Sequence, residues 1–241
     1  MTKRISMWSG PRNISTAIMY SFRERSDTQV VDEPLYAHYL STTNVRHPGD
    51  DEVVATMEND GAKVVSEILL GDVETEVVFF KNMAHHLRGL ETGFLSRLEN
   101  ILLTRHPVDM LTSLVKQLPD PCLRDTGLKE QTEVLEHLLN LGQEPIVIDS
   151  QELLKTPESV LRQLCEKLSL PFESSMLSWQ AGPKPEDGVW AKHWYDNVHK
   201  STGFAPYRPK EAGVPRRLEG LLEECLEHYN RLLPYAIKAK E

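Results

Sequence analysis

The sequence predicts an α/β fold: one domain with a central parallel sheet of about five strands and helices on both faces. Three observations predict it. Short apolar runs alternate with amphipathic stretches along the chain, the pattern of strands buried on both sides by crossover helices. The first run breaks at a Gly-Pro turn and leads into a helical pattern, in "MWSGPRNISTAIM" (Met7 to Met19). The chain also has 241 residues, 40% of them hydrophobic and 26% charged, enough to bury one substantial core.

Taken in order, Arg4 to Trp8 reads as a strand, followed by a helix near Ser15 to Arg25. Gln29 to Asp32 is the second strand, and a helical region near Asp50 to Leu70 follows it. Glu76 to Phe80, Asn100 to Thr104 and Pro145 to Asp149 are the third, fourth and fifth strands. After the fifth, Thr156 is placed to cap a helix, with Pro157 in its first turn and Glu158 favouring its positive end. Val160, Leu161, Leu164, Cys165 and Leu168 then share one face. A last helix near Arg216 to Leu233 repeats the pattern through Leu218, Leu221, Leu222, Cys225 and Leu232. Residues 178–215 break it with Gly, Pro, Trp, His and basic residues, as a lid or ligand-covering loop would. The expected domain is 1–241.

Composition excludes several classes. A formal net charge of −9 argues against general attraction to nucleic acid or an anionic membrane surface. Cys122, Cys165 and Cys225 lie far apart with no C-x-x-C pair, so buried reduced thiols are expected rather than a disulfide framework or a zinc site. No apolar run reaches the ~20 residues that span a bilayer. The start, "MTKRISMW", leaves no room for a signal peptide's apolar core. A cytoplasmic location is the resulting expectation.

Two strand-turn-helix segments carry chemistry-bearing residues. In open α/β sheets, ligands sit beyond the carboxyl ends of strands, where helix N-termini present backbone N–H groups. The loop at Ser9 to Thr16 falls there, with Gly10 allowing an unusual backbone angle, Pro11 stiffening the turn and Arg12 offering a planar cationic fork. Ser15 and Thr16 add hydroxyls. The triphosphate loop G-x-x-x-x-G-K-[ST] is not matched, because no Lys follows a Gly and Ile14 stands where a Gly is expected. The second segment is "NILLTRHPVDMLTSL": Arg105 ends a strand, Pro107 opens a helix and Ser113 follows eight residues after Arg105. An Arg drawn out of water there needs an anion, with a surface pairing to Asp109 as the plainer alternative.

Together, "SGPRNIST" and "ILLTRHPVDMLTS" resemble the sulfotransferase family, of the bacterial type and with a P-loop NTPase-like fold. The resemblance implies 3′-phosphoadenosine 5′-phosphosulfate as donor, leaving the 3′,5′-bisphosphate, and a small-molecule acceptor bearing a hydroxyl or amine. It implies that Gly10, Pro11, Arg12, Asn13, Ser15 and Thr16 hold the phosphosulfate and that Arg105 and Ser113 hold the 3′-phosphate. "DSQELLKTPESVLRQLCEKLSLPF" is similar to a further stretch of the family. "KPEDGVWAKHW" resembles its loop over the 3′-phosphate, through Lys184, Gly188, Trp190 and Lys192. Two positions depart: cytosolic members carry Lys where Arg12 stands and Gly where Ile14 stands. Arg binds the anion but does not hand over a proton.

Sulfuryl transfer also requires a base for the acceptor. Glu33, in "VVDEPLY", is expected at the end of the second strand, held extended by Pro34. His85, with His86 beside it, follows the third strand and is the alternative base, since Met83 fills the position where cytosolic members place a His. Lys81 is a candidate for stabilising the donor's bridging oxygen. His193, His199, Trp190 and Trp194 are candidates for adenine stacking or for lining the acceptor pocket, as is the loop 36–49 for the acceptor. No spacing suits a metal, and adjacency is expected to point the His85 and His86 rings apart. Two other functions fit the pattern: an ATP-dependent small-molecule kinase with Asp32 or Asp149 on magnesium, and an inactive adenine-nucleotide-binding protein of the same fold.

Overall fold

The structure is a computed structural model that describes residues 2–209 and 213–239. Five strands form its sheet: β1 (Lys3–Ser9), β2 (Thr28–Asp32), β3 (Val77–Met83), β4 (Glu99–Thr104) and β5 (Ile146–Asp149). Their order is β2-β3-β1-β4-β5. β2 runs parallel to β3 with Thr28 opposite Val77 and Asp32 opposite Lys81. β4 runs parallel to β5, Ile101 opposite Ile146 and Thr104 opposite Asp149. All seven residues of β3 are buried, as a strand covered on both faces requires. β3 extends three residues beyond the expected end because polar Lys81 and Asn82 find buried partners. Asn82 donates to Ser6 Oγ at 3.0 Å, and Lys81 to acidic groups described below.

The helices are, in order, α1 (Ser15–Arg23), α2 (Tyr36–Thr42), α3 (Asp50–Thr56), α4 (Gly61–Val64), α5 (Pro107–Leu114), α6 (Leu128–Asn140), α7 (Ser150–Lys155), α8 (Pro157–Lys167), α9 (Ala191–Trp194), α10 (Asp196–His199) and α11 (Glu219–Leu232). The single helical region expected over Asp50 to Leu70 is broken. Asp60 restarts the chain by accepting from the N–H groups of Ala62 and Lys63 at 2.9 and 3.2 Å, and α4 then runs into one π-type turn at Val65–Leu69. In front of α8, Pro157 takes the first turn, but the Thr156 side chain makes no capping bond. Its hydroxyl turns back to the Glu152 carbonyl instead. Cys165 and Cys225 are buried in their helices, whereas Cys122 is exposed, contrary to expectation, in the polar turn before Asp125.

The fold divides into two compact units. The first comprises the chain up to Met7, then Ser15–Asn100 and Glu173–Phe204. The second comprises Trp8–Ile14, Ile101–Phe172 and the chain from Ala205 onward. In the first unit Phe22 of α1 stacks on Phe79 of β3 at 4.2 Å between ring centroids. The expected lid at 178–215 is parted between the two units. Its first portion is closed by the bridge between Ser178 and Gly203, and residues 210–212 lie outside those described. No described helix is long and apolar enough to cross a membrane.

Candidate functional site

In the second unit, the loop after β1 is fixed by close backbone packing. A Cβ on Gly10 would lie 2.5 Å from the Thr126 carbonyl oxygen, so only glycine fits. The unusual backbone angle expected of Gly10 belongs instead to Arg12, whose φ is +54°. A non-glycine residue in this region costs about 1–3 kcal/mol and persists where its surroundings impose it. Asn13 supplies part of that constraint: its Nδ2 donates to the Leu103 carbonyl at 3.0 Å and its Oδ1 accepts from Ile14 N–H at 3.0 Å. Buried Gln131 of α6 ties the ends of β1 and β4 together by donating to the carbonyls of Trp8 (2.9 Å) and Leu103 (2.7 Å).

The two motifs that are distant in sequence meet here. Arg12 Nε donates to Ser113 Oγ at 3.1 Å, and Arg105 Nη1 donates to the Arg12 carbonyl at 2.5 Å. The helix that carries Ser113, α5, starts at Pro107 and is capped by His106 Nδ1, which accepts from Val108 N–H. Burial, and then the charge of Arg105, lower the Arg12 pKa, while burial lowers that of Arg105. Among the described residues, no carboxylate stands within ion-pair distance of either guanidinium. Two partly buried cations thus face each other while spending hydrogen bonds on neutral oxygens, an arrangement that an anion completes.

In the first unit, the charged groups instead complete one another. Lys81 Nζ donates to Asp32 Oδ1 at 2.9 Å, to Tyr195 Oη at 2.7 Å and, in a short contact, to Glu33 Oε1. Burial works against the Lys81 ammonium, but Asp32 and Glu33 outweigh it and hold its pKa well above the usual range. Burial raises the Glu33 carboxyl, with Asp32 adding to the rise and Lys81 opposing it. His86 Nε2 lies 4.0 Å from Glu33 Oε2. Burial, followed by the neighbouring His85, holds His86 well below its usual range, so the ring is neutral. Glu33 is not extended as expected but left-handed, with φ +43°. Its N–H continues the β2–β3 ladder by donating to the Lys81 carbonyl at 2.7 Å, while its own carbonyl accepts from Tyr36 N–H at 3.0 Å and so turns the chain into α2.

Comparison with known proteins decides the family. The sulfotransferase domain family matches residues 3–236. The chain belongs to the sulfotransferase family. The sulfotransferase domain from the curacin biosynthetic pathway shares its fold at a TM-score of 0.56 and 18% identity, covering 97% of this chain and 98% of that one. A sulfotransferase from Alicyclobacillus acidocaldarius does so at a TM-score of 0.54 and 12% identity, covering 98% of each. Two Arabidopsis thaliana proteins, branched-chain-amino-acid aminotransferase-like proteins 2 and 1, are 42% and 43% identical over 229 residues. Those residues are 95% of this chain but only 41% of the relatives' length, so the chain spans about two fifths of either.

The other expected site residues lie in the first unit, several of them with partners there. Ser15 and Thr16 open α1, with Ser15 buried. Lys184 Nζ donates to the Gln180 carbonyl and stands 5.6 Å from the centre of the Tyr20 ring. Gly188 N–H donates to Asp32 Oδ2 at 3.2 Å. Lys192 pairs with Glu52 at an exposed position. Trp190 is 3% exposed, packed edge-on to Tyr36 in a core that includes Tyr39 and Tyr195. The segment expected as an acceptor loop, 36–49, begins as α2 and buries Tyr36 and Tyr39 in that core. His199 pairs with Asp187, Trp194 lies edge-on to His47, and the His193 ring abuts Gly49.

The His85 and His86 rings are not turned apart. A 3₁₀ turn at Ala84–Leu87 brings their centroids to 4.7 Å at 88°, and both contact Tyr39. Among the described residues no group of three or more His, Cys, Asp or Glu is placed to hold a metal ion. The two aspartates of the kinase reading have structural partners. Asp149 caps α7 through Gln151 and Glu152 N–H and accepts from Tyr229 Oη, while Asp32 belongs to the Lys81 cluster. Sequence inspection missed Tyr195, Gln131 and the capping role of Asp149. For Asp149 the signal existed: an Asp at a strand end before a helical pattern is a capping pattern.

Proposed function

We propose that this sulfotransferase transfers the sulfuryl group of 3′-phosphoadenosine 5′-phosphosulfate to a hydroxyl or amine of a small-molecule acceptor. The observation that carries the reading is the Arg12–Ser113–Arg105 constellation, two partly buried cations with hydroxyl and carbonyl partners; among the described residues no carboxylate is within ion-pair distance, and Asp109 and Asp149 act on Arg105 only from farther away. Cations in that state suit a ligand with more than one anionic group. The donor carries two such groups, a phosphosulfate and a separate 3′-phosphate.

Arg12 would hold the phosphosulfate, with Gly10, Pro11 and Asn13 shaping its loop, and the family pattern assigns Ser15 and Thr16 to the same group. Arg105 and Ser113 would hold the 3′-phosphate, a bidentate fork and a hydroxyl donor. Lys184, Gly188, Trp190 and Lys192 are the residues of the covering loop that the family pattern assigns to the nucleotide. Glu33 would take the acceptor's proton as its oxygen or nitrogen bonds to sulfur and the bond from sulfur to the phosphate oxygen breaks. The electron pair of that bond leaves on the phosphate, next to Arg12, which stabilises the charge without a proton transfer. Glu33 is favoured over His85 because burial raises its carboxyl toward the range where a base works. Lys81 spends its three donors on Asp32, Glu33 and Tyr195, so its contribution would be to Glu33 rather than to the donor.

Radiolabelled donor incubated with a panel of small hydroxyl and amine acceptors tests the transfer. Label moving from nucleotide to at least one acceptor is the expected result. Turnover of ATP with magnesium and none of the sulfuryl donor would contradict it.

A further inference from the structure

We infer that Asp32 is a positioning residue: clamped by Tyr195, it holds the Lys81 ammonium so that Glu33 can take up a proton without leaving a buried cation unpaired. This rests on the reading of Glu33 as the base.

The geometry is saturated around Asp32 and open around Glu33. Asp32 accepts from Lys81 Nζ at 2.9 Å through Oδ1, and from Tyr195 Oη (2.7 Å) and Gly188 N–H (3.2 Å) through Oδ2. The Tyr195 hydroxyl is itself fully used: it donates to Asp32 and accepts from Lys81 and from Trp190 Nε1 at 3.1 Å. These partners hold Asp32 and Lys81 in one arrangement. Glu33 Oε1 takes the remaining Lys81 proton, and Oε2 has His86 at 4.0 Å as its facing group.

Charge counting gives this arrangement its consequence. With both carboxylates ionised, one buried ammonium faces two anions and the cluster is one charge negative. When Glu33 accepts a proton, Asp32 and Lys81 remain as a neutral pair. Were Glu33 the only partner of Lys81, the same proton would strand an ammonium out of water, at a cost of several kcal/mol. Glu33 would then stay an anion and be a poor base. The other titratable groups around Glu33 do not alter the count: Tyr36 from α2 and Tyr195 are held as neutral phenols by burial, and burial keeps His86 neutral.

The test reads the Glu33 proton directly. Chain labelled with ¹³C at glutamate side-chain carboxyls is titrated by NMR, and the Glu33 resonance is assigned by its disappearance in Glu33→Gln. In the wild type the midpoint should lie above the ordinary glutamate value of about 4.3. In Asp32→Asn, where Lys81 acts on Glu33 alone, it should fall by about one pH unit or more, a tenfold loss of proton affinity. A wild-type midpoint at or below the ordinary value overturns the inference even if Asp32→Asn does not fold. An unmoved or raised midpoint in folded Asp32→Asn overturns it as well. The base reading fails separately: Glu33→Gln with full transfer activity would remove it whatever the titration shows.

Discussion

Arg12, in the loop after β1 of the second unit, and Lys81, on β3 of the first, are both cations drawn at least partly out of water, and they end in opposite situations. Lys81 is surrounded by groups of its own chain that match its charge and use all three of its donors. Arg12 faces a second cation, Arg105, and among the described residues its side chain donates to a hydroxyl, that of Ser113. A self-complete cluster is explained by the fold, whereas an incomplete one calls for a group that the described residues do not supply. On the proposed reading, the first would govern a proton and the second would receive an anion. Left-handed residues mark both, Glu33 and Arg12, which is where stored backbone strain is expected to accompany function.

Substitutions can break this division. The largest effect is expected from Glu33→Gln, which should lower sulfuryl transfer by about 10²- to 10⁴-fold, the contribution of a positioned base, and leave affinity for the 3′,5′-bisphosphate unchanged. Equal transfer by variant and wild type would remove Glu33 as the base, and transfer by neither would favour a nucleotide-binding protein without chemistry. Arg105→Ala should weaken bisphosphate binding by ~1.5–3 kcal/mol, roughly tenfold to a hundredfold, with little change for 5′-AMP. Equal losses for both nucleotides would remove Arg105 from the 3′-phosphate. Gly10→Ala forces a methyl against the Thr126 carbonyl and should cost ~1–3 kcal/mol of stability in urea unfolding. An unchanged midpoint would mean the loop yields without strain. The smallest effect belongs to Ser113→Ala, about 0.5–1.5 kcal/mol of bisphosphate affinity by calorimetry, since a neutral hydroxyl is lost beside a cation that remains.

The sheet was legible because each strand is a short apolar run with punctuation on both sides. Its one sizeable error, the early end given to β3, arose where Lys81 and Asn82 look like a strand terminus and are carried inward by partners elsewhere in the chain. The Arg12, Arg105 and Ser113 set was legible because both segments keep a local spacing, although their meeting is a tertiary fact. Tyr195 was not legible: it reaches Asp32 across 163 positions, and nothing near it in sequence announces a buried phenol. The backbone at Glu33 was misread for a related reason. A following Pro biases a residue toward extended geometry, and here hydrogen bonds from two neighbouring elements override that bias.

The central claim is that the arginine pair awaits a nucleotide bearing a separate 3′-phosphate. Isothermal titration of the wild-type chain with 3′,5′-adenosine bisphosphate and with 5′-AMP, at one salt concentration, tests it most directly. Binding of the bisphosphate at least tenfold tighter is the predicted result, about 1.4 kcal/mol for the added phosphate. Equal affinities would contradict the account.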